Sequence, residues 1–230
     1  MRKIIGGVFL VIVLLGVLVS VVGFSDAAMY MSGKMLGVNS AAMEDLEKES
    51  RAEADITYVD GHFATCEEMD GKLGISGDTH EVYYYIVENI SADDMKKLID
   101  GEMSGNIRNY FAYVVSVSSF DLKEKLDKNY RGWTDYFNGN TNEMPEAVHI
   151  EGKLCEQPKS SGYIKIRNNA LKEIGIDASE VAALRLIDEK PDTMSLAMFG
   201  GGIGAVLVGA VGEICLYASA RKKKREEFYY

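Results

Sequence analysis

Positive charge is scarce through the middle of this chain. From Ser25 to Asp192 there are 18 Lys and Arg against 32 Asp and Glu, within a formal charge of -10 for all 230 residues. An acidic body of this kind repels phosphate backbones, which excludes nucleic acid as a partner class. Histidine and cysteine are scarcer still, with three of each. Cys66, Cys155 and Cys215 are too few for a disulfide-dense scaffold, and they form no CxxC pair. No HExxH occurs. Gly71, Gly74 and Gly77 lack the Lys-Ser/Thr that a phosphate loop needs, and Gly74-Ile-Ser76-Gly77 lacks the spacing of a nucleophile elbow. Carboxylates abound without a spacing that marks an acid–base pair. No motif therefore identifies a reaction, and the chain is expected to need no cofactor.

What the chain does have is two long apolar runs. Ile4–Phe24 follows Arg2 and Lys3, and Met194–Ala220 ends at Arg221-Lys222-Lys223-Lys224-Arg225. Each is long enough to cross a bilayer as a helix. The first exceeds the apolar core of a signal peptide and reads as an uncleaved anchor. Lys and Arg concentrate beside spans on the cytoplasmic side, so both flanks are expected inside. The layout is then a cytoplasmic segment 1–3, a span 4–24, an extracytoplasmic domain 25–193, a second span 194–220 and a basic tail 221–230. Cell-membrane lipid is a partner by this reading, and the basic tail attracts anionic headgroups. Glu213, about 20 residues into the second run, is expected at the cytoplasmic interface. Ala197, Gly201, Ala205 and Gly209 recur every fourth residue, and Gly16 and Ser20 repeat that spacing in the first run. Small residues let membrane helices approach closely, so these six positions are expected to pack the two spans as an antiparallel pair.

Between the spans, a juxtamembrane connector over 26–38 and a short helix over 40–52 precede two strands near 55–59 and 62–67. Asp60-Gly61 between those strands has the composition of a hairpin turn. A loop covers 70–78. Strand 82–87 leads to a helix capped by Ser91, and strand 110–117 to a helix capped by Ser118 with Asp121. In that second helix Leu122, Leu126, Tyr130, Trp133 and Phe137 make one apolar face. Strand 147–155, a helix from Ser160 or Ser161 to a Gly175 cap and strand 182–187 complete the order. This pattern predicts an α+β fold, a mixed sheet backed by helices and flanked by two transmembrane helices. Residues 85–98 and 113–126 match loosely at a spacing of 28, as a duplicated βα unit would. Asn89-Ile-Ser91 fits a glycosylation sequon.

The soft ligands outside the spans are His62, Cys66, His149 and Cys155, and pairing of their two strands would bring all four to one zinc-type site. Cys66 and Cys155 are expected as unbridged thiols, with a disulfide between them as the alternative. The runs Val82-Tyr-Tyr-Tyr-Ile-Val87, Tyr113-Val-Val-Ser-Val-Ser118 and Val148-His-Ile-Glu-Gly-Lys-Leu154 resemble two-span membrane proteins of Gram-positive bacteria. That resemblance implies a bacterial envelope location and no particular activity. The functional expectation is a non-enzymatic binding or scaffold protein, an accessory subunit of an envelope complex with a protein partner. The alternative is an envelope enzyme with a metal- or thiol-dependent site, and a third is a transport subunit relying on Glu213.

Overall fold

A computed structural model describes residues 2–31, 33–69, 79–102, 110–188 and 193–228. The chain divides into two compact units, Met1–Lys34 with Pro191–Tyr230, and Met35–Lys190. The 70–78 loop, with Gly71, Gly74, Ser76 and Gly77, lies outside the described residues.

The unit 35–190 is mixed α+β. Its strands are β1 (Leu36–Gly37), β2 (Arg51–Ile56), β3 (Tyr58–Met69), β4 (Thr79–Glu88), β5 (Ala112–Val117), β6 (Val148–Glu156) and β7 (Val181–Ile187). They form one seven-stranded sheet in the order β1-β2-β6-β7-β5-β4-β3. The β1–β2 and β5–β7 pairs are parallel and the others antiparallel. Strands β2 and β3 sit near opposite ends of that order, yet only Thr57 separates them in sequence. They are one long ribbon whose first half pairs with β6 and whose second half pairs with β4, so the sheet must curl to satisfy both.

The numbering of the helices here is α1 (Arg2–Met31), α2 (Ala92–Ile99), α3 (Phe120–Phe137), α4 (Ser161–Ile174) and α5 (Thr193–Phe228). Helix α3 fills one face of the curled sheet. Its Leu122 and Leu126 pack among Ile56, Val59, Tyr85, Val115, Ile150 and Leu186, drawn from both halves of the ribbon and the strands between. The corner at Thr57 is tied to the same helix: Trp133 Nε1 and Asn129 Nδ2 donate to the Thr57 carbonyl at 2.7 and 3.1 Å. The other face carries α4, whose Tyr163 and Leu171 pack on Val82, Tyr84, Ile86 and Val114. Covered on both sides, β5 is buried at every residue.

Three expectations change. No helix runs over 40–52; single 3-10 turns at Val38–Ser40 and Met43–Asp45 lead into β2. Ala and Glu favour helices, but the alternation from Arg51 to Ile56 has period two, and pairing with β6 decides. Asp60-Gly61 is not a hairpin turn but a bulge inside β3: Val59 faces Val87, Gly61 faces Ile86, and Asp60 has no counterpart. Gly61 adopts a φ of 154°, a region that favours glycine. Helix α3 begins after Ser119, which makes no side-chain cap; Asp188 instead fixes the residues leading into the helix, its carboxylate accepting from Ser118 N (2.9 Å) and Ser119 N (3.1 Å). Ser91 and Ser160 cap α2 and α4 through their own hydroxyls, and Gly175 closes α4 at a φ of 81°. The two βα stretches spaced by 28 are unlike in build, an eight-residue α2 against an 18-residue α3. Asn89 is 5 % exposed, which leaves the sequon no accessible acceptor.

The other unit consists of α1 and α5. Both contain a stretch long and apolar enough to cross a membrane, Ile5–Phe24 and Leu196–Arg221. Helix α1 continues to Met31, beyond the apolar run and into the first part of the expected connector, and α5 continues through the basic block to Phe228. They run antiparallel, with Phe24 against Phe199 and Gly6 near Glu213 at the other end.

Candidate functional site

His62, Cys66, His149 and Cys155 are the soft ligands that a pairing of their two strands would bring to one zinc-type site. The fold does not bring them together. His62 and Cys66 lie on β3 beside Tyr85 and Val82, whereas His149 and Cys155 lie on β6 beside Asp55 and Arg185. Strands β4, β5 and β7 intervene, so one ion cannot take all four ligands and no disulfide joins Cys66 to Cys155. His62 instead accepts or donates a 3.0 Å hydrogen bond with Thr65 Oγ1 and tilts against the Tyr85 ring.

His149 has other neighbours. Cross-strand register sets it opposite Asp55 and sets Glu151 opposite Glu53, on the side of β2 and β6 away from Leu154. Its Nδ1 is 2.8 Å from Asp55 Oδ1, and ligand atoms of Glu53, His149 and Glu151 fall within 4.8 Å of one another. The two carboxylates hold the imidazolium, raising the His149 pKa chiefly through the Asp55 hydrogen bond. Arg51 also lies 4.0 Å from Glu151. This is an oxygen- and nitrogen-bearing donor set, half open to water. Direct cross-strand pairing of Glu53 with Glu151 was invisible without the register.

A concavity lies elsewhere, at the β3 bulge. A cleft of about 530 Å³ straddles the edge of that strand. Asp60, Gly61, His62 and Phe63 form its floor. Helix α3 supplies Asp127, Tyr130 and Arg131 on one side, and α4 supplies Ala170, Glu173 and Ile174 on the other. The bulge creates the site: by pushing one extra residue out of the ladder, it aims Asp60 away from its strand partner.

Asp60 is the unusual group here. Its Oδ2 is buried and has no hydrogen-bond partner. Burial, then the nearby charge of Glu88, pushes its pKa up to about 8. Burial raises Glu88 as well, against a hydrogen bond from Tyr110. Tyr58 is raised to about 12 by burial and by both carboxylates. Asp127 behaves oppositely. Burial would raise it, but Lys123 Nζ at 2.7 Å and the Tyr85 hydroxyl at 2.7 Å hold it below the usual range. Two acids of one cleft are thus in different states, one satisfied and ionised, the other unsatisfied and inclined to keep its proton.

A buried polar layer separates the sheet from α4. Arg185 donates to Glu68 Oε1 at 3.0 Å and to the Tyr84 hydroxyl, which itself donates to Glu68. Gln157 accepts from Arg167 (2.6 Å) and Tyr163 (3.2 Å) while donating to the Ala182 carbonyl. Most donors of this layer have their acceptor within the domain, the buried Arg185 Nε excepted, which marks a structural role for the layer.

In the helical pair, a Cβ on Gly16 would lie 2.7 Å from the Gly202 carbonyl oxygen and 3.0 Å from Ala205 Cβ. One on Gly202 would collide with Ser20, one on Gly212 with the Phe9 ring, and one on Gly209 would stand 3.1 Å from the Phe9 carbonyl oxygen. Gly201 has nothing within 4 Å, and Ala197 is exposed. Gly16, Ser20, Ala205 and Gly209 therefore sit on the seam, while Gly202 takes the place expected of Gly201. A strict four-residue step turns about 40° per repeat around the helix, so such a stripe cannot follow a straight seam.

The chain matches no protein-family model, and no curated protein matches it. The likeness to two-span envelope proteins accordingly contributes no site residue.

Proposed function

We propose that this chain is a two-span membrane protein that displays its acidic α+β unit outside the cell as a non-enzymatic binding module, with the cleft at the β3 bulge as its ligand site. The antiparallel pairing of α1 with α5 carries the reading. An antiparallel pair returns Arg2 and Lys3 to the same side as the Arg221–Arg225 block, and that coincidence is what a cytoplasmic location for both requires. A binding role suits a cleft whose lining mixes aromatic, aliphatic and ionisable side chains within the volume range of small-molecule sites. The envelope-enzyme alternative loses its four-residue basis with the separation of β3 from β6.

The test is accessibility in sealed cells. Protease added outside should digest residues 35–190 and leave α1 and α5 protected, and a membrane-impermeant thiol reagent should label an Ala178→Cys variant in the background lacking the native cysteines. Protection of the domain in intact cells, with cleavage only after lysis, would reverse the orientation.

A further inference from the structure

We propose that the cleft at the β3 bulge binds a small organic ammonium ion, with Asp60 receiving the charged nitrogen and the aromatic walls receiving the body of the ligand. The inference rests on the reading of this unit as a binding module and names what it binds.

The unfilled acceptor is the starting observation. Asp60 Oδ2 is buried without a hydrogen-bond donor, in a domain where the comparable carboxylates are satisfied: Asp188 takes two backbone amides, Asp127 takes Lys123 and Tyr85, and Glu68 takes Arg185 and Tyr84. A buried carboxyl oxygen left without a donor is destabilising, so the fold retains Asp60 against a local penalty. Nothing in the ladder requires an acid at that position, because the bulge residue has no cross-strand counterpart. An ammonium group in the cleft that Asp60 lines would give its carboxyl a charge-assisted hydrogen bond.

Sign and shape agree with that choice. The groups facing Asp60 are Glu88 on β4, Tyr58 and His62 on β3, Tyr110 ahead of β5, Tyr130, Asp127 and Arg131 on α3, and Glu173 on α4. Glu88 is a second, partly desolvated carboxyl whose field repels an anion and attracts a cation. Arg131 points its Nε at the Asp127 carbonyl (3.2 Å), so part of its donor set is already engaged inside α3. Phe63 on the floor and Tyr130 on the α3 side both line the cleft, where a hydrocarbon or aromatic body would lie and where ring faces stabilise a cation. A Cβ on Gly61 would touch the Tyr130 ring at 3.8 Å, so the bare glycine backbone lies directly beneath that ring. The whole unit is acidic, which raises the local concentration of any cation near its surface.

The experiment uses the full chain in detergent micelles, where membrane orientation has no bearing on the result. Phenethylamine is the probe, with 3-phenylpropionate as an anion of similar size and phenethyl alcohol as the neutral counterpart. Trp133 is the sole tryptophan and lies 5.6 Å, ring to ring, from Tyr58, so its emission reports on the cleft. The amine should saturate the signal with a Kd on the order of 1 mM, as suits a fragment of this size. The alcohol should bind about tenfold more weakly, and the anion not at all. Asp60→Asn should weaken the amine about tenfold without weakening the alcohol. Amine binding should tighten as pH rises from about 6 to about 9, because the proton that burial keeps on Asp60 must leave for the ammonium to pair with it. Ile174→Trp, which fills the α4 wall, should abolish binding of both probes. Equal binding of amine and anion, an unchanged affinity in Asp60→Asn, retention of binding in Ile174→Trp, or no saturation by the amine up to about 50 mM would each overturn the proposal.

Discussion

Asp60 illustrates how one extra residue in a strand changes the chemistry of a domain. Had Asp60-Gly61 been a turn, the carboxyl would stand in water. As a bulge residue between two packed helices it is held beside Glu88, and burial together with that charge moves its pKa from the ordinary carboxylate range to about 8. A folded-state pKa above the unfolded one means that the native protein holds the extra proton. The associated stability is fully present below about pH 4 and is lost as pH rises towards about 8. Asp60→Asn removes the titration while keeping the shape. In the ligand-free protein at about pH 8 it should raise stability by about 2 kcal/mol, with the gain shrinking as pH falls towards 4. Chemical denaturation of both proteins across that range measures it. A wild-type curve as flat as that of the variant would show that Asp60 is solvated. His149 is the contrasting case: its carboxylate neighbours are exposed, and exposed pairs contribute only about 0–1 kcal/mol.

Among the elements, the helical pair is where spacing and geometry part company. Small residues at every fourth position suggest a stripe, yet the contact seam passes through Gly202, Ala205, Gly209 and Gly212, separated by three or four. Gly202→Leu would drive a side chain into Ser20 and should reduce association of the two spans severalfold in a bilayer two-helix assay. Gly201→Leu should leave association near the wild-type value, because that face has no neighbour within 4 Å. Equal effects of the two substitutions would mean that α5 is rotated about its axis from the arrangement described here. Helix α3 shows a second lesson at this level. Its expected apolar face does contain the buried Leu126 and Trp133, but Tyr130 and Phe137 are exposed, and the buried Asn129 takes a place on the inner side to hold the Thr57 corner.

At the scale of the molecule, strand order controls which distant residues meet. Cys66 and Cys155 lie in strands separated by β4, β5 and β7, so no intramolecular bridge should exist whatever the redox compartment. Thermal unfolding in the presence and absence of a reductant should give the same midpoint, and an electrophoretic shift on reduction of the monomer would refute the strand order. The same topology brings the ends of one ribbon to opposite sides of the sheet and lets α3 and α4 clasp the β3 edge between them, which is how the cleft arises.

The local and compositional features were legible from the residues alone. Two apolar runs, an acidic middle, the Ser91 and Ser160 caps, the Gly175 terminus and strands near 82–87, 110–117, 147–155 and 182–187 follow from hydropathy, charge and backbone preference within a few residues of each other. Register, curl and juxtaposition did not. They depend on which strands pair across tens of residues, and Asp60 meets Glu88, or Glu53 meets Glu151, only after that pairing is made. A dipeptide such as Asp60-Gly61 suits a turn and a bulge equally well by itself. The sheet chose the bulge, since continuing the ribbon past it lets β3 pair with β4 as far as Met69, which outweighs the two residues, Asp60 and Phe63, left out of the ladder.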